Sequence, residues 1–394
     1  MTTLKAVTAH ADTVSVTASA PAPVASAPPS ASRASSPRRS QSYVTWAAAG
    51  TLLALAYLLL DVWSSGHGIL RPIRAGSRGP GAELISRDFP ALTAPDEVGL
   101  DGQQFYAIAR DPFHPETVAD DLDRPQYRYQ RPLYPVLAWL LHPSGGGPGL
   151  VLAFVAVSLL ALFLGGLAMG ALAKVLHGPP WLALLFPLLP GAVWSLTSSV
   201  ADALAVSLCL VTIVATLRDR TGLAWLAAVA AVLTRETAIL VPLALLLARR
   251  RKEDLPLVIL PGLALGAWLV LVRQWVPGGG LPSESLVLPL TGLVDAVTER
   301  WILGDELIGM ASTLAALAVA AYVLVRKRGP QELRWVIGVQ LAFLSVCSGA
   351  VLGDDFGGTR STLLLLAVAV AVLVAGTRAP AYVSPSTGAR NLPV

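Results

Sequence analysis

Apolar runs long enough to cross a hydrocarbon core recur along most of this sequence, and no soluble fold has room to bury so many. They occupy 44–60, 149–173, 181–198, 200–217, 222–248, 255–273, 306–325, 332–352 and 361–376, and a membrane-crossing helix needs roughly 20 apolar residues. With 54% of 394 residues hydrophobic, 14% charged and a mean hydropathy of +0.62, the chain reads as an all-α, polytopic transmembrane bundle.

The run 222–248 breaks the pattern. It carries Thr234, Arg235 and Glu236 at its middle, with Arg218 and Arg220 before it and Arg249 to Lys252 after it. One long helix would set an ion pair at mid-membrane and the basic clusters on opposite sides. Two short helices meeting at Arg235 and Glu236 keep both clusters on one side, so a hairpin is expected and the total becomes about ten spans. Short basic connectors around Lys174, Arg218, Arg249 to Lys252 and Arg326 to Arg328 then share a side, the cytoplasmic one, and both termini are expected there, in the cell membrane. Residues 1–42, rich in Ala, Ser, Thr and Pro, read as a disordered tail, as does 378–394, leaving 43–377 as the membrane domain. Two outer loops are long, 63–149 and 274–305. In the first, Leu133, Val136, Leu137, Leu140 and Leu141 follow helical spacing over a length too short to span; in the second, Leu286 to Trp301 reads as an amphipathic segment.

Several functional classes are excluded. The net charge of +4 is divided by membrane side and gathers into no basic patch, so nucleic acid is not a partner. Cys209 and Cys347 sit in apolar runs outside any CxxC or Cys/His spacing, and His67, His114, His142 and His177 show no metal-ligand spacing. Gly145 to Gly149 lacks the Lys and Ser/Thr of a phosphate-binding loop. No internal repeat is visible, which argues against a transporter of the inverted-repeat kind.

Against this apolar background, Asp101 to Pro135 is dense in carboxylates, arginines, amides and tyrosines. Under the expected topology it shares the outer side with Asp202, with Arg235 and Glu236 at the hairpin tip, and with Asp354, Asp355 and Arg360 in the last outer turn. Ionisable groups beside spans are costly unless paired or used, so their convergence marks a candidate site. Asp101 opens a short helix through Arg110, where its carboxylate serves either as an N-cap or as a reactive group. Gln103, Gln104 and Tyr106 accompany it as candidate substrate contacts. Arg128, Arg131 and Tyr134 lie in YRYQRPLYP, where the guanidinium fork suits phosphate and the rings suit either a sugar face or the interfacial belt. Arg235 and Glu236 serve equally as a buried structural pair or as substrate contacts. The adjacent Asp354 and Asp355 offer a foothold to a divalent cation, although that spacing is a weak signal.

The pieces DGQQFYAIARDPF (Asp101 to Phe113), RYQRPLYPVLAWLL (Arg128 to Leu141) and LTRE (Leu233 to Glu236), in that order after a first span, resemble a family of bacterial integral membrane proteins of cell-surface glycopolymer formation. More distantly the chain is similar to the mannosyltransferases of GPI-anchor assembly and to the class C glycosyltransferases. The resemblance covers roughly 44–376 in layout, and Leu100 stands where an aromatic is common. It implies a polyprenyl-phosphate-linked sugar donor, a glycan or lipid acceptor, and an outer-loop aspartate, here Asp101, as general base. Arginines at the membrane face, Arg131, Arg235 and Arg360, would then meet the lipid phosphate. Two other readings compete with this enzyme: a flippase for a lipid-linked precursor, and a non-catalytic protein of glycopolymer assembly.

Overall fold

A computed structural model describes residues 38–143, 145–278, 286–301 and 306–376, with side chains from Tyr43 onward. Most of the tail expected over 1–42, that over 378–394, and residues 279–285 and 302–305 of the second outer loop lie outside the described residues. All regular elements among the described residues are helical; the one strand-like feature is an isolated bridge between Leu286 and Cys347.

Helix α1 (Arg38–Ser65) starts within the expected tail. The first loop is folded, as α2 (Ala82–Asp88), α3 (Asp101–Arg110), α4 (Pro115–Val118), α5 (Pro125–Arg128) and α6 (Leu133–Leu141). The helix α6 covers the Leu-rich segment read as too short to span. Then follow α7 (Pro148–Val175), α8 (Leu182–Leu188), α9 (Pro190–Thr197), α10 (Asp202–Leu217), α11 (Thr221–Thr234), α12 (Leu240–Arg249) and α13 (Pro256–Trp275). The chain closes with α14 (Thr291–Asp295), α15 (Leu307–Val325), α16 (Gln331–Ser345), α17 (Gly349–Leu352) and α18 (Asp355–Ala375).

Among the described residues, five segments are long and apolar enough to cross a membrane: Tyr43–Ser65, Pro148–Val175, Lys252–Trp275, Leu307–Val325 and Asp355–Ala375. The other apolar runs fold into shorter pieces. The run 181–198 divides at Leu189, which precedes Pro190; a residue before proline is pushed out of the helical region, and Leu189 is extended with ψ 139. The run 332–352 divides into α16 and α17. Leu286 to Trp301 is not one amphipathic helix but α14 and a π-helical turn, Ala296–Arg300.

The run 222–248 folds as the expected hairpin. Arg235 is extended (φ −154, ψ 123) between α11 and the 3-10 turn Glu236–Ile239 that leads into α12. At the other end of the hairpin, Arg249 donates to the carbonyl of Thr216 (2.7 Å) and to Asp219 (2.7 Å), so the two basic ends lie together. The legs splay to find partners: α11 packs on α10 and α13, while α12 packs on α16.

Two apolar cores result. One joins α10, α11, α12, α15, α16 and α18. The other joins the first loop to α1, α6, α7 and the start of α10, and includes Phe105, Tyr106, Tyr129, Tyr134 and Phe154. The polar groups that matter lie where these cores meet.

Candidate functional site

Helix α3 brings its first residue to that junction because of the glycine beside it. A Cβ on Gly102 would collide with the backbone carbonyls of Ile73 and Ser198, so only glycine lets α3 settle this closely on the turn before α10. Two α3 amides then brace the loop. Gln103 accepts from the Gly76 amide (2.7 Å) and donates to the Pro80 carbonyl (2.8 Å); Gln104 accepts from the Asp123 amide (3.1 Å). Tyr106 donates to Asp88 (2.7 Å) and accepts from the Gly147 amide (2.5 Å). These three candidate contacts therefore shape the loop, and their bonds go to its backbone and to Asp88 instead of to the charged groups of the cluster. Tyr134 is likewise fully buried, bonded to Ser158 (2.7 Å) and packed between the rings of Phe105 and Phe154.

The Asp101 carboxylate does not cap α3; no side-chain cap bond forms there. It bridges two arginines instead. Arg128 donates to Oδ1 at 2.6 Å and Arg360, from α18, donates to Oδ2 at 3.0 Å. Arg128 also holds Asp123 through two bonds of 2.8 Å. Arg360 continues to Asp202 (2.7 Å), whose other oxygen meets Arg235 in an ion pair. Alongside this chain, Arg131 grips Glu236 with a bidentate pair of 2.9 and 2.7 Å and donates to the Tyr127 hydroxyl (2.7 Å). The Tyr127 ring lies against both Arg128 and Arg131. Seven of the sequence candidates thus meet: Asp101, Arg128, Arg131, Asp202, Arg235, Glu236 and Arg360.

The cluster is charge-balanced, with four carboxylates (Asp101, Asp123, Asp202, Glu236) facing four guanidinium groups (Arg128, Arg131, Arg235, Arg360). Its inner part is buried, with Asp202 only 2% and Arg131 7% exposed, while Asp123 and Glu236 open toward the outside. Burial, the largest influence on Asp101, opposes ionisation, but Arg360, then Arg128 and Arg131 outweigh it. The carboxyl is held well below the usual carboxylate range. Burial also works against the Arg128 charge, and Asp123 and Asp101 outweigh it, so this guanidinium stays firmly protonated.

Behind the network lies a cavity of about 40 Å³. Polar side chains of Asp202, Arg235, Arg360, Gln340, Thr237 and Ser361 line it together with apolar Val206, Cys209, Phe343 and Leu364. That volume holds a few waters at most. Anything as large as a phosphate requires the ion pairs to part.

Asp354 and Asp355 stand apart from this arrangement. They belong to the start of a helix, not to a loose turn. Asp354 caps α18 by accepting from the Gly357 amide, and Asp355 accepts from the Gly309 amide (2.5 Å). The Asp355 oxygen holds α18 against α15. Among the described residues, no group of three or more His, Cys, Asp or Glu is placed to hold a metal ion.

Two members of the cluster escaped the sequence reading, Asp123 and Tyr127. A signal for each exists: Asp123 precedes Arg128 in the acidic stretch DDLDRPQYR, and Tyr127 is one helical turn before Arg131. Compared with known proteins, the chain matches no family model, no curated protein and no solved structure.

Proposed function

We propose that this protein is a membrane glycosyltransferase of the class C kind. It moves a sugar from a polyprenyl-phosphate donor to a glycan or lipid acceptor at the outer face of the cytoplasmic membrane. The observation that carries the reading is the convergence of seven ionisable residues from the first loop, α10, the hairpin tip and α18 beside a cavity lined by both polar and apolar side chains. A phosphate on an apolar chain needs both chemistries in one place.

In the closed arrangement both Asp101 oxygens are engaged, which makes a poor base. Donor phosphate entering at Arg235 and Arg360 would draw Arg360 from Asp101 and leave Oδ2 open. The acceptor hydroxyl then attacks the anomeric carbon, its proton passes to Asp101, and the bond from that carbon to the phosphate oxygen breaks with its electron pair going to the phosphate. The configuration inverts, and the arginines stabilise the leaving charge.

About ten membrane segments, counting the short helices, with both termini cytoplasmic, complete the proposal. It draws on the clustering of Arg249 to Lys252 with Arg326 to Arg334 at the end away from Asp101. The test is transfer by purified Asp101→Asn from a polyprenyl-phosphate sugar. Loss of transfer with unchanged folding is expected, and wild-type turnover would remove the base assignment. The balanced, fully paired charges also suit a structural clamp in a non-catalytic assembly protein. Normal glycopolymer in cells carrying Asp101→Asn, Arg131→Gln and Arg235→Gln together would favour that reading.

A further inference from the structure

We infer that an anionic phospholipid binds along the open face of α16, at the end of the bundle away from Asp101. A groove of about 630 Å³ follows Gln331, Arg334, Trp335, Gly338, Val339 and Ala342. These positions recur at helical spacing, so they form one stripe. A Cβ on Gly338 would meet nothing within 4 Å, which leaves the floor of the groove apolar and unfilled.

The head of the groove is cationic. Arg334 donates to the Lys327 carbonyl (3.1 Å), which draws it to the exposed turn carrying Arg326 and Lys327. Gln331 donates to the Ala248 carbonyl (3.4 Å) and brings in the end of α12, where Arg250, Arg251 and Lys252 are exposed. Nearby acids answer little of this charge: Asp219 and Asp254 both pair with Arg249, leaving Glu332 and Glu253. The chain's own tails do not complement it either. Residues 377–394 contain Arg378 and Arg390 and no acid, and residues 1–37 contain Asp12 against Lys5 and Arg33. A headgroup phosphate on the basic end with its chains along the glycine floor satisfies both halves of the groove; basic pockets beside membrane helices take such headgroups. Trp335 sits where an indole favours the interface.

The test uses the full chain in mild detergent, titrated with phosphatidylglycerol or phosphatidylcholine of identical chains and read by native mass spectrometry. Phosphatidylglycerol is expected to be retained preferentially. Arg334→Gln should weaken its retention about fivefold and leave phosphatidylcholine unchanged. Gly338→Leu, which keeps every charge but fills the floor, should also weaken it; Ala342→Leu repeats this test should the first variant not fold. Equal retention of the two lipids, or unchanged phosphatidylglycerol retention in the charge and floor variants, would overturn the inference. So would a dimer abolished by Gly338→Leu, which would assign the face to a second copy of the chain.

Discussion

Arg360 is the residue on which the cluster turns, because its guanidinium holds Asp101 on one side and Asp202 on the other. Arg360→Gln leaves the buried Asp202 with one partner and Asp101 with one. Breaking a buried pair in this way costs about 3 kcal/mol, and a lower thermal unfolding midpoint in detergent would register it. Arg360→Lys restores a charge but not the two-sided geometry, so only partial recovery is expected. Asp101 adds a pH dependence whose sign is fixed by its depressed pKa. Its contribution is complete above the ordinary carboxyl value of 3.8 and is lost as pH falls below it toward the folded value. Unfolding midpoints measured down through acid should therefore fall more steeply for the wild type than for Asp101→Asn. Equal slopes would mean that the carboxylate is not held as described. Every charged member but Asp123 was legible in the sequence because an ionised group near a span must find a partner. The partners of Gln103 and Gln104 were not, since backbone amides and carbonyls of a loop carry no sequence signature of their positions.

At the level of the elements, α3 and the hairpin place the site. The Gly102 contact makes Gly102→Ala a probe that alters no charge: α3 must lift from Ile73 and Ser198 and carry Asp101 with it. A destabilisation of about 1–3 kcal/mol is expected and, under the proposed reaction, a loss of transfer as large as that of Asp101→Asn; an unchanged unfolding midpoint and full transfer would show that α3 need not sit so close. The hairpin could be read from Arg235 and Glu236 flanked by two basic clusters, because membrane cost leaves few other solutions. The break at Leu189 also had its signal, in Pro187 and Pro190, yet apolar length alone made 181–198 look like one span. Helix α18 was read as starting late for the opposite reason. Two glycines after Asp355 suggest a turn, but the Asp354 cap and the Asp355 bond to the Gly309 amide hold the first turn helical.

Across the whole molecule, the charges separate by end. The network of Asp101, Asp202 and Arg360 lies at one end of α10 and α18, and the Arg249 and Arg334 groups lie at the other; the helix from Arg360 to Ala375 alone rises about 22 Å. The expected orientation can be read with cysteines, since Cys209 and Cys347 are buried and give little background. Asp96→Cys should react with an impermeant maleimide in intact cells, and Arg326→Cys only after permeabilisation. The reverse result would put the site on the cytoplasmic side. The balance of four positive and four negative groups bears on turnover under the proposed reaction. A phosphodiester donor brings one negative charge, and its phosphomonoester product carries two, but the proton received by Asp101 offsets the difference. Electroneutrality thus ties the fate of that proton to the fate of the product. Once Asp101 sheds it to solvent and reclaims Arg360, the site holds one more negative charge and one fewer free guanidinium, and the spent lipid phosphate is expelled.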